Sequence, residues 1–276
     1  MAAPAESLTR DAFLGGRLTL LQPAKGFRAG IDAVLLASAC PAKPGQSVLD
    51  LGCGVGTAAL CLATRVAGLE LTGLERDAAI ADLARRNADA AGIAMEILTG
   101  DITAPPPALK AMSFDHVIAN PPYFDAARAT AAADAYRDSA MREDVPLAAW
   151  THLAAKRLRP GGWATFIQRA DRLGDLLGAA EHAGFGSLRV QPIAGRAGNL
   201  ARLILLIARK GGRGALELAA PFILHDGPAH ISDGDDFTSA ASAILRDGAQ
   251  FIAPDLKVSV INCRHAEDTG RNVSGA

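Results

Sequence analysis

Val48-Leu49-Asp50-Leu51-Gly52-Cys53-Gly54-Val55-Gly56 is the stretch whose reading decides the fold. Ser47 to Leu51 is a short apolar run that reads as a strand, and Thr57 to Val66, rich in Ala and Leu, reads as the helix after it. Between them three glycines stand at alternate positions. Without Cβ atoms the backbone turns tightly there and a ligand can approach it closely. The helix that follows offers its unpaired N–H groups at the same place. The spacing is GxGxG and not GxGxxG, so the glycine that packs a dinucleotide helix is misplaced, and a nicotinamide oxidoreductase is disfavoured. A nucleoside-type ligand without a pyrophosphate suits the loop better. Glu75 lies 25 residues after Asp50, at the end of the next strand, where a carboxylate can accept from two ribose hydroxyls. Asp101, after the third strand, can accept from an exocyclic adenine amine.

Working outward, βα units alternate with short connections. Strands are expected at Leu69–Leu74, Ala94–Leu98, Phe114–Ala119 and Trp163–Gln168, with helices at Ile31–Cys40, Asp77–Gly92, Ala148–Leu158 and Asp171–Ala183. Ser187–Pro192 and Leu203–Ala208 read as a closing antiparallel hairpin, Phe222–His225 as a short strand and Asp236–Leu245 as a helix. This order predicts an α/β fold, a mostly parallel sheet with helices on both faces. Three parts are expected: an N-terminal segment, 1–46, which the family resemblance given below makes an entry segment over the ligand site, the main domain, 47–254, and a polar tail, 255–276. The alanine-rich Ala126–Ala135 reads as a mobile loop over the site.

Half the residues are hydrophobic and 21% are charged, which excludes global disorder. Lys plus Arg is 28 against 29 for Asp plus Glu, so a whole-surface basic field is excluded. Local groups remain: Arg202, Arg209, Lys210 and Arg213 near the last core strand, and Arg10, Arg17, Lys25 and Arg28 near the N-terminus. Cys40, Cys53, Cys61 and Cys263 form no CxxC pair, and no histidine has partners at ligand spacing; no metal is expected. Met1–Arg10 carries no apolar signal, and the longest apolar run, Ile31–Pro41, is interrupted by Asp32. A span needs about 18 apolar residues, so a soluble cytoplasmic protein with no membrane partner is expected.

Asn120-Pro121-Pro122-Tyr123, after the strand Phe114–Ala119, is the most informative tetrapeptide. The prolines fix φ and push Asn120 toward extended geometry. The result is a stiff mount holding one amide side chain and one backbone carbonyl at the sheet's edge. Methyl transfer to a planar amine or amide nitrogen needs such a mount. The lone pair of that nitrogen is delocalised, and two acceptors, the Asn120 side-chain oxygen and the Pro121 carbonyl, can hold its two hydrogens and turn the lone pair out of the ring plane. Tyr123 offers a face on which a planar base can stack.

Leu49–Gly56 with Glu75 and Asp101 resembles the S-adenosylmethionine site of class I methyltransferases. The resemblance implies a Rossmann-like, seven-stranded sheet with a C-terminal antiparallel hairpin. It places Asp50, Gly52, Cys53, Gly54 and Gly56 around the methionine and ribose of S-adenosyl-L-methionine, Glu75 on the ribose, and Asp101 with Ile102 on the adenine. Cys53 contributes its backbone and not a reactive thiol. Asn120-Pro121-Pro122-Tyr123 resembles the catalytic motif of methyltransferases acting on adenine N6, glutamine N5 or guanine N2. Gly26-Phe27-Arg28-Ala29-Gly30-Ile31-Asp32-Ala33-Val34-Leu35-Leu36 resembles the entry segment of the bacterial tRNA(Val) adenine-N6 methyltransferase family, in which Thr often stands at the place of Ile31. That resemblance runs from about Leu18 to Gly248 and includes His225-Asp226-Gly227-Pro228. It implies that Arg28 and Asp32 close over the cofactor's methionine end and that a tRNA, methylated in the anticodon loop, is the partner.

Two rivals stay open. A protein glutamine or rRNA guanine methyltransferase could share this core. The glutamine enzymes carry a helical recognition domain ahead of it, whereas 47 residues precede Val48 here, which favours adenine in RNA. A cofactor- and RNA-binding module without turnover has no need of an amide aimed at a methyl group.

Overall fold

The structure, a computed structural model, describes residues 8–26, 28–122, 124–125, 142–143, 145–229 and 236–251. The described residues open on an antiparallel hairpin, β1 (Leu8–Phe13) and β2 (Leu18–Pro23), which closes through Leu14–Gly16. Helix α1 (Ile31–Ala39) follows, and then β3 (Ser47–Leu51), the strand that precedes the three glycines. Its five residues are all buried, the pattern of a central parallel strand covered on both faces. From there the chain winds outward through α2 (Thr57–Arg65), β4 (Glu70–Glu75), α3 (Ala78–Ala91) and β5 (Met95–Thr99). After α4 (Pro107–Ala111) it returns to the other side of β3 as β6 (Phe114–Ala119).

Beyond β6 come two short strands that pair in parallel, β7 (Phe124–Asp125) and β8 (Arg142–Glu143), and then α5 (Leu147–Arg157). Strand β9 (Leu158–Arg169), helix α6 (Leu173–His182), and the antiparallel pair β10 (Phe185–Ala194) and β11 (Ala201–Lys210) complete the main sheet. Two further short strands, β12 (Glu217–Leu218) and β13 (Phe222–Ile223), run parallel to β10, and α7 (Ser239–Leu245) ends the described chain. Across the sheet the order is β12-β10-β11-β9-β6-β3-β4-β5, with β13 also on β10, so nine strands replace the expected seven. Of the two short additions, β13 falls within the short strand expected at Phe222–His225, while β12, with two residues, is too short to show a period. They cover the edge of β10 and so limit its pairing with other chains.

The helices fall on both faces. Val48, Ile118, Ile167 and Leu205 point to one side, where α1, α2 and α7 pack; Leu49, Val117, Phe166 and Leu206 point to the other, against α5 and α6. β9 begins where α5 ends and runs through Pro160-Gly161-Gly162, the stretch left between the expected helix Ala148–Leu158 and strand Trp163–Gln168. A register shift between Phe114 and His116 on β6 accommodates the irregular stretch. Among the described residues no helix is long and apolar enough to cross a membrane.

The N-terminal hairpin is fastened by Asn87 of α3, which is 1% exposed. Its Oδ1 accepts from the Leu21 N–H at 2.8 Å, and its Nδ2 donates to the Leu21 and Val55 carbonyls, both at 3.0 Å. One amide thus joins the hairpin to the glycine loop. Asn87→Ala leaves three backbone groups without that partner and is expected to lower the unfolding free energy by about 3 kcal/mol. Urea unfolding checks it; an unchanged midpoint contradicts the fastening role.

Candidate functional site

Parallel pairing aligns the ends of β3, β4, β5 and β6. Leu51 lies opposite Leu74 on one side and Ala119 on the other, and Glu75 lies opposite Thr99. Gly52 and Asn120, the next residues along, therefore start one strand spacing apart, roughly 4.8 Å. This is also where the winding reverses: β4 and β5 extend to one side of β3, β6 to the other. Ligands of open α/β sheets bind at such a reversal.

Gly52, Gly54 and Gly56 all take left-handed φ, +65°, +56° and +88°. At Gly52 a Cβ would also meet the Trp150 ring of α5 at 2.7 Å, while at Gly54 nothing lies within 4 Å. One glycine is thus required by packing and the other leaves bare backbone open to a ligand. The loop is pinned from beneath. The Cys53 N–H donates to the Leu74 carbonyl at 3.0 Å, and the Gly54 N–H to Glu75 Oε2 at 3.0 Å. Glu75 Oε1 accepts from the Asp77 N–H at 2.9 Å, and Asp77 caps α3 through Ala79 and Ile80. Cys53 is buried, and that burial pushes its thiol well above the usual range, as a structural thiol requires.

These elements enclose a cavity of about 630 Å³. The glycine loop contributes Asp50, Gly52, Cys53 and Gly54 to its lining. Glu75, Asp101 and Ile102 come from the ends of β4 and β5, and Asn120, Pro121 and Pro122 from the end of β6. Pro23, Gly26 and Ala29 of the entry segment line it too. Gly56 sits one step back, packed toward Leu60 and Ala84. Asp101 Oδ1 accepts from the Thr103 N–H at 2.6 Å and from its hydroxyl, which holds the carboxyl below its ordinary range and keeps it an acceptor. Tyr123 and Ala126–Ala135 lie outside the described residues.

Arg28 and Asp32 are placed differently from the rest: neither lines the cavity. The Arg28 guanidinium is held by both carboxylate oxygens of Asp11 on β1, at 2.7 Å each. Gln22 joins the same cluster, donating to Asp11 at 2.8 Å and accepting from the Ala29 N–H at 2.8 Å. The hairpin thereby ties down the segment that borders the cavity. The basic run near β11 also divides. Arg202 is exposed at the site edge, whereas Arg209 lies over the Trp163 ring at 5.6 Å and Lys210 donates to the Leu158 carbonyl at the opposite edge.

Three buried polar atoms on cavity-lining residues have no hydrogen-bond partner among the described residues: Thr57 Oγ1, Asn120 Oδ1 and Trp150 Nε1. Each costs roughly 1–3 kcal/mol unless something supplies the missing bond. Asn120 Oδ1 is an acceptor, so its missing partner is a donor such as an amine N–H. Among the described residues no group of three or more His, Cys, Asp or Glu side chains could hold a metal ion.

Comparison with known proteins sets the chain among methyltransferases. Residues 28–142 match the family described as Methyltransferase small domain. A tRNA1(Val) (adenine(37)-N6)-methyltransferase of Porphyromonas gingivalis is 33% identical over 175 residues, covering 60% of this chain and 68% of that one. Its counterpart in Dickeya chrysanthemi is 29% identical over 229 residues, covering 80% and 87%. Among solved structures, a protein of Agrobacterium tumefaciens named as a predicted O-methyltransferase superposes with a TM-score of 0.63 at 29% identity, covering 79% of this chain and 95% of that one. The T. thermophilus 16S rRNA N2 G1207 methyltransferase, solved with AdoMet and guanosine, shares the fold at a TM-score of 0.52 and 20% identity, covering 75% and 51%.

Asp50 generates a pH prediction. Its carboxyl is 3% exposed and accepts from the Ala59 N–H at 3.3 Å. Burial pushes its pKa up to about 7, and nearby Glu75 adds to the rise. In the unfolded chain an Asp ionises near 3.9. Its contribution to stability is therefore complete below about pH 4 and is lost as pH rises through about 7. The difference is on the order of 4 kcal/mol for the ligand-free protein. Urea midpoints are expected to fall between pH 5 and pH 8 in the wild type and to fall less in Asp50→Asn; equal slopes contradict the assignment.

Proposed function

The chain belongs to the tRNA1(Val) (adenine(37)-N6)-methyltransferase family, and on that premise we propose that it methylates N6 of an adenine in the anticodon loop of a valine tRNA. It is an S-adenosylmethionine-dependent methyltransferase. The observation that carries the substrate reading is the buried Asn120 Oδ1, without a hydrogen-bond partner among the described residues, at a corner bordering the cavity beside the glycine loop. Bound S-adenosylmethionine supplies a methyl group on a positively charged sulfur, which departs with the carbon–sulfur electron pair.

The cavity fits that donor. Its volume is that of a small-molecule site, the backbone above Gly54 is open, and carboxylates border it from the ends of β4 and β5. Glu75 would accept from the ribose hydroxyls while keeping its two bonds to the Gly54 and Asp77 N–H groups. Asp101 would accept from the adenine amine, with Ile102 against the ring. Asp50, Gly52, Cys53, Gly54 and Gly56 would surround the methionine and ribose. Arg28 would reach the methionine end with Asp32 only by leaving Asp11.

Asn120 Oδ1 and the Pro121 carbonyl accept the two hydrogens of the substrate amine. That turns the nitrogen lone pair out of the base plane and spreads the positive charge that grows on nitrogen. Both acceptors hold the nitrogen until it sheds one proton to solvent. Pro122 stiffens the corner, and Tyr123 gives the base a face to stack on. A base in a folded tRNA must first leave its stack to reach this corner.

Asn120→Ala is expected to slow single-turnover methylation of a valine tRNA transcript by about 100-fold or more while cofactor affinity changes less than about twofold. Nucleoside mass spectrometry is expected to show N6-methyladenosine from the wild-type reaction. Undiminished turnover sinks the role of the amide, and label confined to glutamine in protein sinks the RNA substrate.

A further inference from the structure

Gln168 takes no part in the account above, yet it is a fully buried amide directly beside the corner. It lies on β9 two residues beyond Phe166, the partner of Ala119, and its exposure is 0%. A primary amide is costly to bury unless its bonds are met. Gln168 Oε1 accepts from the Arg169 N–H at 2.8 Å, which fixes which end of the amide is which. Its Nε2 then donates to the carbonyls of Pro121 at 3.4 Å and Pro122 at 3.5 Å. Both distances are long, as expected for one donor shared between two acceptors.

The corner needs an outside donor for a covalent reason. Neither proline has an N–H, so the corner cannot anchor itself by donating. Each ring fixes φ, and Pro122 confines Pro121 ψ to the extended range, which still leaves the carbonyl a swing of tens of degrees. Within that range the Pro121 carbonyl is aimed by the group that donates to it. A carbonyl oxygen has two lone pairs, so a bond from Gln168 leaves one for a substrate hydrogen.

We propose that Gln168 is a positioning residue for methyl transfer, its buried amide setting the direction of the Pro121 carbonyl that receives the substrate amine. This rests on the reading of the corner given above. The test compares Gln168→Met, which fills the space without a donor, with Gln168→Glu, whose carboxyl donates only when protonated. Gln168→Met is expected to lower kcat about tenfold or more, with the tRNA KM and cofactor Kd within about twofold. Burial at a position with 0% exposure pushes a carboxyl well above its ordinary range, so the Gln168→Glu rate, taken relative to wild type, is expected to be highest near pH 6 and to fall toward about pH 9 as the carboxyl ionises, while the Gln168→Met ratio stays flat. A loss of general packing lowers stability in both variants but produces no such slope.

A second readout needs no substrate. The 13C carbonyl resonance of Pro121 is expected to move upfield in Gln168→Met, as a carbonyl does when it loses a hydrogen bond. Unchanged kcat in both variants, or an unmoved Pro121 resonance, overturns the proposal. Wild-type protein that leaves tRNA unmethylated refutes the substrate reading instead, and the resonance still decides whether Gln168 holds the carbonyl.

Discussion

The site depends on the parallel pairing of β3 with β6. Leu51 opposite Ala119 puts Gly52 and Asn120 side by side at one edge of the sheet. A slip of one residue would turn every side chain of β6 to the other face and take Asn120 from the cavity. Burial opposes such a slip: Val117 and Ile118 point to opposite faces and each is fully covered. The packed core on both faces is thus what sets the register of the corner against the glycine loop.

On this frame the site is built from rigid backbone and acceptors with lone pairs to spare. The glycine loop is held by Glu75 from beneath and by Asn87 from the side, so its shape does not wait for a ligand. The corner is stiff by its prolines and braced by Gln168. Methyl transfer needs no covalent enzyme intermediate, and positioning two reactants with acceptors already in place accounts for most of what such a site can do. The buried carboxyl of Asp50 and the Asn120 oxygen, which has no partner among the described residues, both cost stability in the ligand-free state, a pattern common where function opposes folding.

The parts legible in the sequence were those with local covalent signatures. Alternate glycines allow left-handed φ, and consecutive prolines fix φ at a turn, so both can be read without knowing the neighbours. The hairpin Leu8–Pro23 was missed although Gly15-Gly16 between two alternating runs is a turn signal. Pro160-Gly161-Gly162 falls between two expected elements because the register shift on β6 that admits it lies in another strand. Asn87 and Gln168 gave no signal, since each acts on backbone 30 or more residues away and only the fold brings them there. The basic group near β11 divides because Arg202 and Lys210, close in sequence, stand at opposite ends of one strand.

The most direct measurement is a crystal structure of the complex with S-adenosylhomocysteine and an RNA carrying the target adenosine. The account predicts the adenine out of its stack, with N6 within hydrogen-bond distance of both Asn120 Oδ1 and the Pro121 carbonyl. A base seated with N6 away from that pair, or an amide turned from the cavity in the complex, contradicts it.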